Sequence, residues 1–363
     1  MDPRMKELAR RLVRYSINLQ PGEKVLIEAT EADTAPLVEL LIDEIYEAGG
    51  EPFVQYEIPS VNRKLLMHCS EEQLLIQYRA YAELLKHMDA TIAIRGMSNA
   101  AELSDVPKEG LDNYFSAKAV LREERMKKKW TLVRYPNMAI AQLANMSFEA
   151  YEDFYYRTNN LDYADMAEKA KPLKALMDRT DRVHIVGPGT DLKFSIKGIP
   201  AVICCGEFNN PDGEVFTAAI KDSVNGVITF NLPSIFQDIC FENIRLVFQD
   251  GKIVEATSNH TDKLNWILDT DEGSRYTGEF ALGINPEIRT CTNDGSVDEK
   301  MWGSLHFTPG DGADRNGNHS KIHWDMVLAQ TPEYGGGQIY FDDVLIRDNG
   351  RFVLEELEGL NID

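Results

Sequence analysis

The sequence predicts two domains: an α/β domain of parallel βαβ units over residues 1–180 and a strand-rich α+β domain over residues 181–363. Three observations predict this. A chain of 363 residues is longer than one hydrophobic core usually serves. Up to about residue 180, strand-like and helix-like segments alternate, as parallel sheets require. After Asp181 the helical spacing gives way to short apolar runs separated by Gly, Asn and Asp, the pattern of antiparallel strands.

Pro21-Gly22 is a turn signal, and the apolar run Lys24–Ala29 that follows reads as a buried strand. A helix comes next, with Asp33 or Thr34 as its cap and Pro36 in its first turn. Leu37, Leu41, Ile45 and Ala48 form its apolar stripe, Glu44 is assigned to its solvated side, and Gly49-Gly50 ends it. Phe53–Ile58 is a second strand, followed by a helical region to about His87. Ala90–Arg95 and Trp130–Tyr135 are the third and fourth strands, and Ser147 to about Arg179 is helical. Beyond it the strand-like runs are Val183–Val186, Leu192–Ile196, Val227–Phe230 and Ile244–Phe248.

Composition narrows the function. A formal net charge of −21 repels phosphate backbones and anionic lipid, so nucleic-acid and membrane-surface binding are not expected. No apolar run is long enough for a transmembrane helix, and the start of the chain is amphipathic, unlike a secretory signal. Five cysteines without a CxxC spacing suit reduced thiols in a cytoplasmic protein. The glycines of Gly187-Pro188-Gly189 lack the third glycine and following helix of a dinucleotide fingerprint and read as a turn. No Gly-x-Ser-x-Gly elbow is present, which argues against a serine hydrolase of the α/β type.

The chemistry-bearing residues lie between Gly213 and Asp325. Glu214 and Glu279 each interrupt an apolar strand-like run, in Gly213–Thr217 and Gly278–Gly283. Asp298-Glu299 precedes His306, and His323-Trp324-Asp325 sets two ligand-type residues around an aromatic. In an extended chain residues two apart share a face, so His323 and Asp325 can hold one ion while Trp324 points the other way. A buried carboxylate is costly unless paired or bound to a metal. Each feature alone has a plainer reading as an edge residue, an ion pair or a satisfied histidine; together they supply the oxygen and nitrogen donors that Zn, Co or Mn accept.

The ordered set of motifs resembles the M29 metallo-aminopeptidases over nearly the whole chain. It includes Leu12–Ser16, Pro21–Ile27, Glu47–Gly50, Tyr135-Pro136, Met146-Ser147, Tyr151–Phe154, Gly189–Leu192, Gly213–Thr217, Asp271–Gly273, Gly278–Gly283 and Ile322–Asp325. The resemblance implies a homodimeric enzyme that removes the N-terminal residue of peptides at two divalent ions. It assigns Glu214, Glu279, Glu299, His306, His323 and Asp325 as ligands, with Glu279 bridging the ions and Glu279 or Glu299 as general base. The spacing from Glu299 to His306 differs from the family's by two residues. Where the family carries a tyrosine seven residues after the first ligand histidine, this chain has Ala313, leaving Tyr334, Tyr340 or Arg315 to fill the role. The scaffold also resembles a ring-cleaving iron dioxygenase, which leaves open a single iron on His306, His323 and Asp325, or a binding homologue without activity.

Overall fold

The computed structural model describes every residue except Met1, Ala100, Asp238, Ala313, Asp314 and Asp363, and omits the side chain of Glu123. It divides into two compact units: residues 1–161 with 206–211, and residues 162–205 with 212–363.

Unit 1 is built on strands β1 (Lys24–Thr30), β2 (Glu51–Glu57), β3 (Ala90–Arg95) and β4 (Lys129–Arg134). All four run parallel in the order β2-β1-β3-β4, and the short strand Asn209–Asn210 extends the sheet beside β4. Val25, Leu26, Ile27 and Ala29 are buried, as a strand covered on both faces requires. Helix α1 (Ala35–Glu47) buries Leu37, Leu41 and Ile45, and the chain turns out of it at Gly49 with φ +81°. Glu44 departs from its assignment to the solvated side: it is 5% exposed. With 3.6 residues per turn, position 44 falls three beyond Leu41 and four beyond the equally buried Leu40, on the stripe itself. The expected helical region up to His87 is two helices, Pro59–Leu66 and α2 (Glu71–Lys86), the latter capped by the Ser70 hydroxyl. Helix α3 (Lys108–Arg125), which the sequence analysis leaves unassigned, packs beside α2 through Tyr114, Ala117 and Leu121.

The helical stretch from Ser147 is likewise two helices, Phe148–Asn159 and α4 (Tyr163–Arg179). The boundary expected near residue 180 falls at the end of α4. That helix belongs to unit 2, where it packs on the C-terminal turn Glu355–Leu360.

Unit 2 holds an eight-stranded sheet and a five-stranded antiparallel sheet. The latter has the order β9-β8-β7-β6-β5, from β5 (Val202–Cys204), β6 (Glu214–Thr217), β7 (Thr277–Gly283), β8 (Ser304–Pro309) and β9 (Met326–Ala329). Gly187-Pro188-Gly189 is the expected turn, joining two strands of the eight-stranded sheet. Phe194 and Phe248 of that sheet meet Phe307 of β8 at ring separations of 5.1 and 5.7 Å, and Phe194 meets Phe280 of β7 at 5.0 Å. This aromatic core takes one face of the five-stranded sheet. The opposite face is left for chemistry.

Candidate metal centre

Strand alternation decides which side chains share that second face. The register pairs Glu214 with Gly283, Phe216 with Ala281, His306 with Ala281, and Thr308 with Glu279. Directly opposed residues point the same way. Glu214, Glu279, His306 and Thr308 therefore project from the face opposite Phe280 and Phe307. Two glycines allow the close approach. Gly213 sits at φ +127°, where a Cβ would also lie 2.9 Å from that of Asn285. At Gly278 a Cβ would stand 2.1 Å from the carbonyl oxygen of Asp311.

His323 and Asp325 enter from the segment before β9. Asp271 fixes that segment: its carboxylate accepts from the Ser320 hydroxyl at 2.9 Å and the Lys321 amide at 2.7 Å. His323 Nδ1 donates to the carbonyl of Asp311 at 2.9 Å, which leaves Nε2 facing Asp325 at 3.3 Å. Trp324 points the other way, as the alternation argument expects. It is buried, stacked on Phe236 at 4.5 Å, and its indole donates to the Ser234 hydroxyl at 2.8 Å. Thr308 donates to Asp325 Oδ1 at 2.6 Å. The short helix Gly295–Asp298, capped by Asp294, presents Glu299 from its C-terminal end.

All six expected ligand residues come together in three groups: Glu214 with Glu279 and His306, Glu279 with His323 and Asp325, and Glu299 with His306 and Asp325. Within each group the donor atoms lie within 4.8 Å of one another. His306 is 1% exposed, and its Nε2 is 2.9 Å from Glu279 Oε1. Glu214 Oε2 is buried without a hydrogen-bond partner, 3.7 Å from the same nitrogen. An orphaned carboxylate oxygen beside imidazole nitrogens fits a site made for divalent cations.

The sequence reading missed Lys300. Its side chain is 2% exposed and its ammonium lies 2.5 Å from Glu214, 2.8 Å from Glu299 and 3.9 Å from the buried Asp212. A lysine next to two acidic residues looks like a solvated loop residue, and no spacing marks it. Asn285 ties the two loops together, its amide donating to the Asp212 carbonyl at 2.6 Å and its backbone N–H to the Lys300 carbonyl at 3.0 Å. Thr308 was findable, since it stands two residues beyond His306 on a strand.

The electrostatics report an excess of negative charge. Burial, with repulsion from Asp325 and Glu214, pushes Glu299 up to about 8 in spite of Lys300. Desolvation opposes charge on His306, yet the hydrogen bond to Glu279 and the charge of Glu214 raise it to about 9. His323 rises to about 10, desolvation being outweighed by its hydrogen bond and attraction to Asp325. Burial disfavours the Asp325 carboxylate, but His323 holds it well below the usual range.

The family model of the thermophilic metalloproteases (M29) matches residues 1–352. The chain belongs to this M29 family. Among the M29 protein's relatives, aminopeptidase T of Thermus thermophilus is 26% identical, covering 89% of this chain and 92% of its own. Aminopeptidase 2 of Geobacillus stearothermophilus is 24% identical, covering 77% and 76%. The solved structure of wild-type AmpT from Thermus thermophilus superposes with a TM-score of 0.84 at 23% identity, over 97% of this chain and 99% of that one. A 2,5-dihydroxypyridine dioxygenase structure from Pseudomonas putida superposes at 0.63 with 12% identity, over 97% and 98%, a likeness of fold alone. Family membership implies use of divalent metal, and the M29 protein has candidate ligand clusters to match.

The family tyrosine's position, Ala313, lies outside the described residues. Of the three groups that could replace it, Tyr340 is committed to Gln338 at 2.7 Å, and the Tyr334 hydroxyl accepts from the Cys291 amide at 3.3 Å. Arg315 stands over the Phe216 ring at 4.5 Å, on the metal-bearing face of the sheet. Among the described residues no helix is long and apolar enough to cross a membrane.

Proposed function

We propose that the chain is an aminopeptidase in which Glu214, Glu279, Glu299, His306, His323 and Asp325 hold two divalent cations, zinc, cobalt or manganese, with Glu279 shared between them. One observation carries the number. The carboxylates gathered around Lys300, His306 and His323 are Asp212, Glu214, Glu279, Glu299 and Asp325, five negative charges when all are ionised, and Lys300 cancels one. The remaining four match two divalent ions bound with neutral imidazoles. His306 and Asp325 also belong to two donor groups each, but Glu279 alone joins the group of Glu214 to that of His323, which supports the bridging role.

Divalent ions bound here supply Lewis acidity toward a peptide carbonyl and acidify a water. The protein's own groups do the rest. Lys300 holds Glu214 and Glu299 in place, Thr308 fixes Asp325, and the Asp311 carbonyl fixes the tautomer of His323. Glu279 and Glu299 are the carboxylates placed to take a proton from water and return it to the leaving amine. Of the three groups offered for the missing tyrosine's role, Arg315, over the Phe216 ring, is the one left to face charge developing on the substrate carbonyl. The substrates are peptides with a free N-terminus, and the enzyme acts as a cytoplasmic homodimer. The dioxygenase-like reading is not favoured, because that likeness is confined to the fold while the family and the named relatives point to peptide hydrolysis.

Aminoacyl-p-nitroanilides assayed with saturating Co, Zn or Mn test the activity, beside the same compounds N-acetylated. Turnover of the free-amine series alone is expected. Equal cleavage of blocked substrates, or no turnover with any of the metals, contradicts the assignment.

A further inference from the structure

A second cluster of charged side chains, half-buried apart from the buried Glu28, lies in unit 1, and none of its residues belongs to the metal centre. The register pairs Glu28 of β1 with Gln55 of β2, and Thr30 of β1 with Glu57 of β2 and Arg95 of β3. These side chains share one sheet face, together with Leu26. Helices α2 and α3 cover that face, where Leu26 packs with Leu74, Leu85 and Ala117. A covered parallel sheet is ordinarily apolar throughout. Here it turns polar toward the carboxyl ends of the strands and encloses a cavity of about 220 Å³. That is room for roughly seven water molecules at about 30 Å³ each.

The charges around the cavity do not cancel. Glu28 accepts two hydrogen bonds from Arg125, at 3.0 and 2.7 Å. Glu57 accepts from Lys118 at 3.0 Å, from the Tyr114 hydroxyl at 2.7 Å and from Asn62 at 3.0 Å. Each carboxylate thus has its own cation. Arg95 also lines the cavity, and among the described residues its guanidinium has no hydrogen bond or salt bridge. Desolvation pushes its pKa down, against the attraction of Glu28 and Glu57, neither of which bonds to it directly. The Tyr81 hydroxyl, at the same cavity, is buried and likewise has no partner. A buried donor without a partner costs stability unless something binds it, and the half-buried Arg95 guanidinium beside it is left without a direct partner.

The location agrees. The strand order β2-β1-β3-β4 places its reversal between β1 and β3. Open parallel sheets form their ligand crevices at the carboxyl ends of the strands flanking such a reversal. Thr30 and Arg95 end those two strands.

We propose that this cavity binds a small monocarboxylic acid, its carboxylate held by the Arg95 guanidinium with the Tyr81 hydroxyl as a further donor. Arginine's planar fork matches a carboxylate. Tyr78 and Tyr81 line the cavity and give it an aromatic wall for a flat apolar body. An amino acid fits less well, since both carboxylates of the cavity are already paired and its ammonium finds no free acceptor.

Isothermal titration of the full-length, metal-loaded protein with benzoate, 4-hydroxybenzoate, L-leucine and inorganic phosphate tests this. One equivalent of benzoate or 4-hydroxybenzoate should bind, more tightly than leucine or phosphate. Arg95→Met should weaken that binding tenfold or more and Tyr81→Phe several-fold, with peptidase activity unchanged. Acid binding that survives Arg95→Met belongs elsewhere and overturns the proposal. So does binding of phosphate but no carboxylate, or no binding of any probe at millimolar concentration. If Arg95→Met fails to fold, Tyr81→Phe decides: undiminished acid binding then refutes the site.

Discussion

Replacing Lys300 with methionine keeps the length of the side chain and removes its charge. The ammonium lies 3.9, 2.5 and 2.8 Å from the carboxylates of Asp212, Glu214 and Glu299. All of these side chains are at most 10% exposed, so water cannot take over the ammonium's role. Removing one partner of a buried ion pair costs about 3–5 kcal/mol, because the other partner stays buried and charged. For a unit of this size about 1 kcal/mol moves the midpoint by roughly 2–4 °C, so the chelator-treated Lys300→Met protein should melt roughly 6–20 °C below wild type. Saturating Zn or Mn should recover at least roughly half of the difference, since the ions neutralise Glu214 and Glu299 and stabilise only the folded form. Differential scanning calorimetry on both proteins, with and without metal, reads both quantities. Equal midpoints without metal, or a gap that metal leaves unchanged, would refute the role assigned to Lys300.

Glu279→Gln removes a charge shared by two donor groups, so both bound metal and activity should collapse, activity by about a thousandfold or more, while the exposed Glu83→Gln control stays within about 0.5 kcal/mol of wild type in urea unfolding. Thr308→Val deletes the 2.6 Å hydrogen bond to Asp325 and should weaken metal binding about tenfold in a chelator competition assay. Asp271→Asn should cost about 1 kcal/mol at neutral pH through the lost cap. Burial opposes the Asp271 carboxylate, but hydrogen bonds from Lys321, Ser320 and Ser274 depress its pKa in the folded state. Its contribution is therefore present above the ordinary carboxyl range and lost as pH falls through the folded value, so the two proteins should converge in acid unfolding curves.

The strands were legible because burial on both faces leaves a continuous apolar run. Ala90–Arg95 has the expected bounds, and Lys24–Thr30 gains one residue. Helix α3 carries a stripe at helical spacing, Tyr114, Ala117 and Leu121, which the interleaved Lys118 and Arg125 of the unit 1 cavity mask. Glu44 was misplaced because charge was weighed above its position on the 3.6-residue stripe. In the metal centre, His323-Trp324-Asp325 was readable from alternation alone, and Glu214 and Glu279 stood out as acids in apolar runs. Lys300 and Asp212 were not, since their role depends on Asn285 joining two loops distant in sequence. The return of residues 206–211 to unit 1 was equally invisible, because a two-residue strand carries no periodicity.

The most direct test of the central claim is the metal content of the intact protein, prepared without chelator, reconstituted with Zn, Co or Mn and measured by inductively coupled plasma mass spectrometry. Four uncancelled negative charges and six converging donor residues predict two divalent ions per chain at saturation. One iron per chain with no second ion taken up, or no retained metal at all, would contradict it.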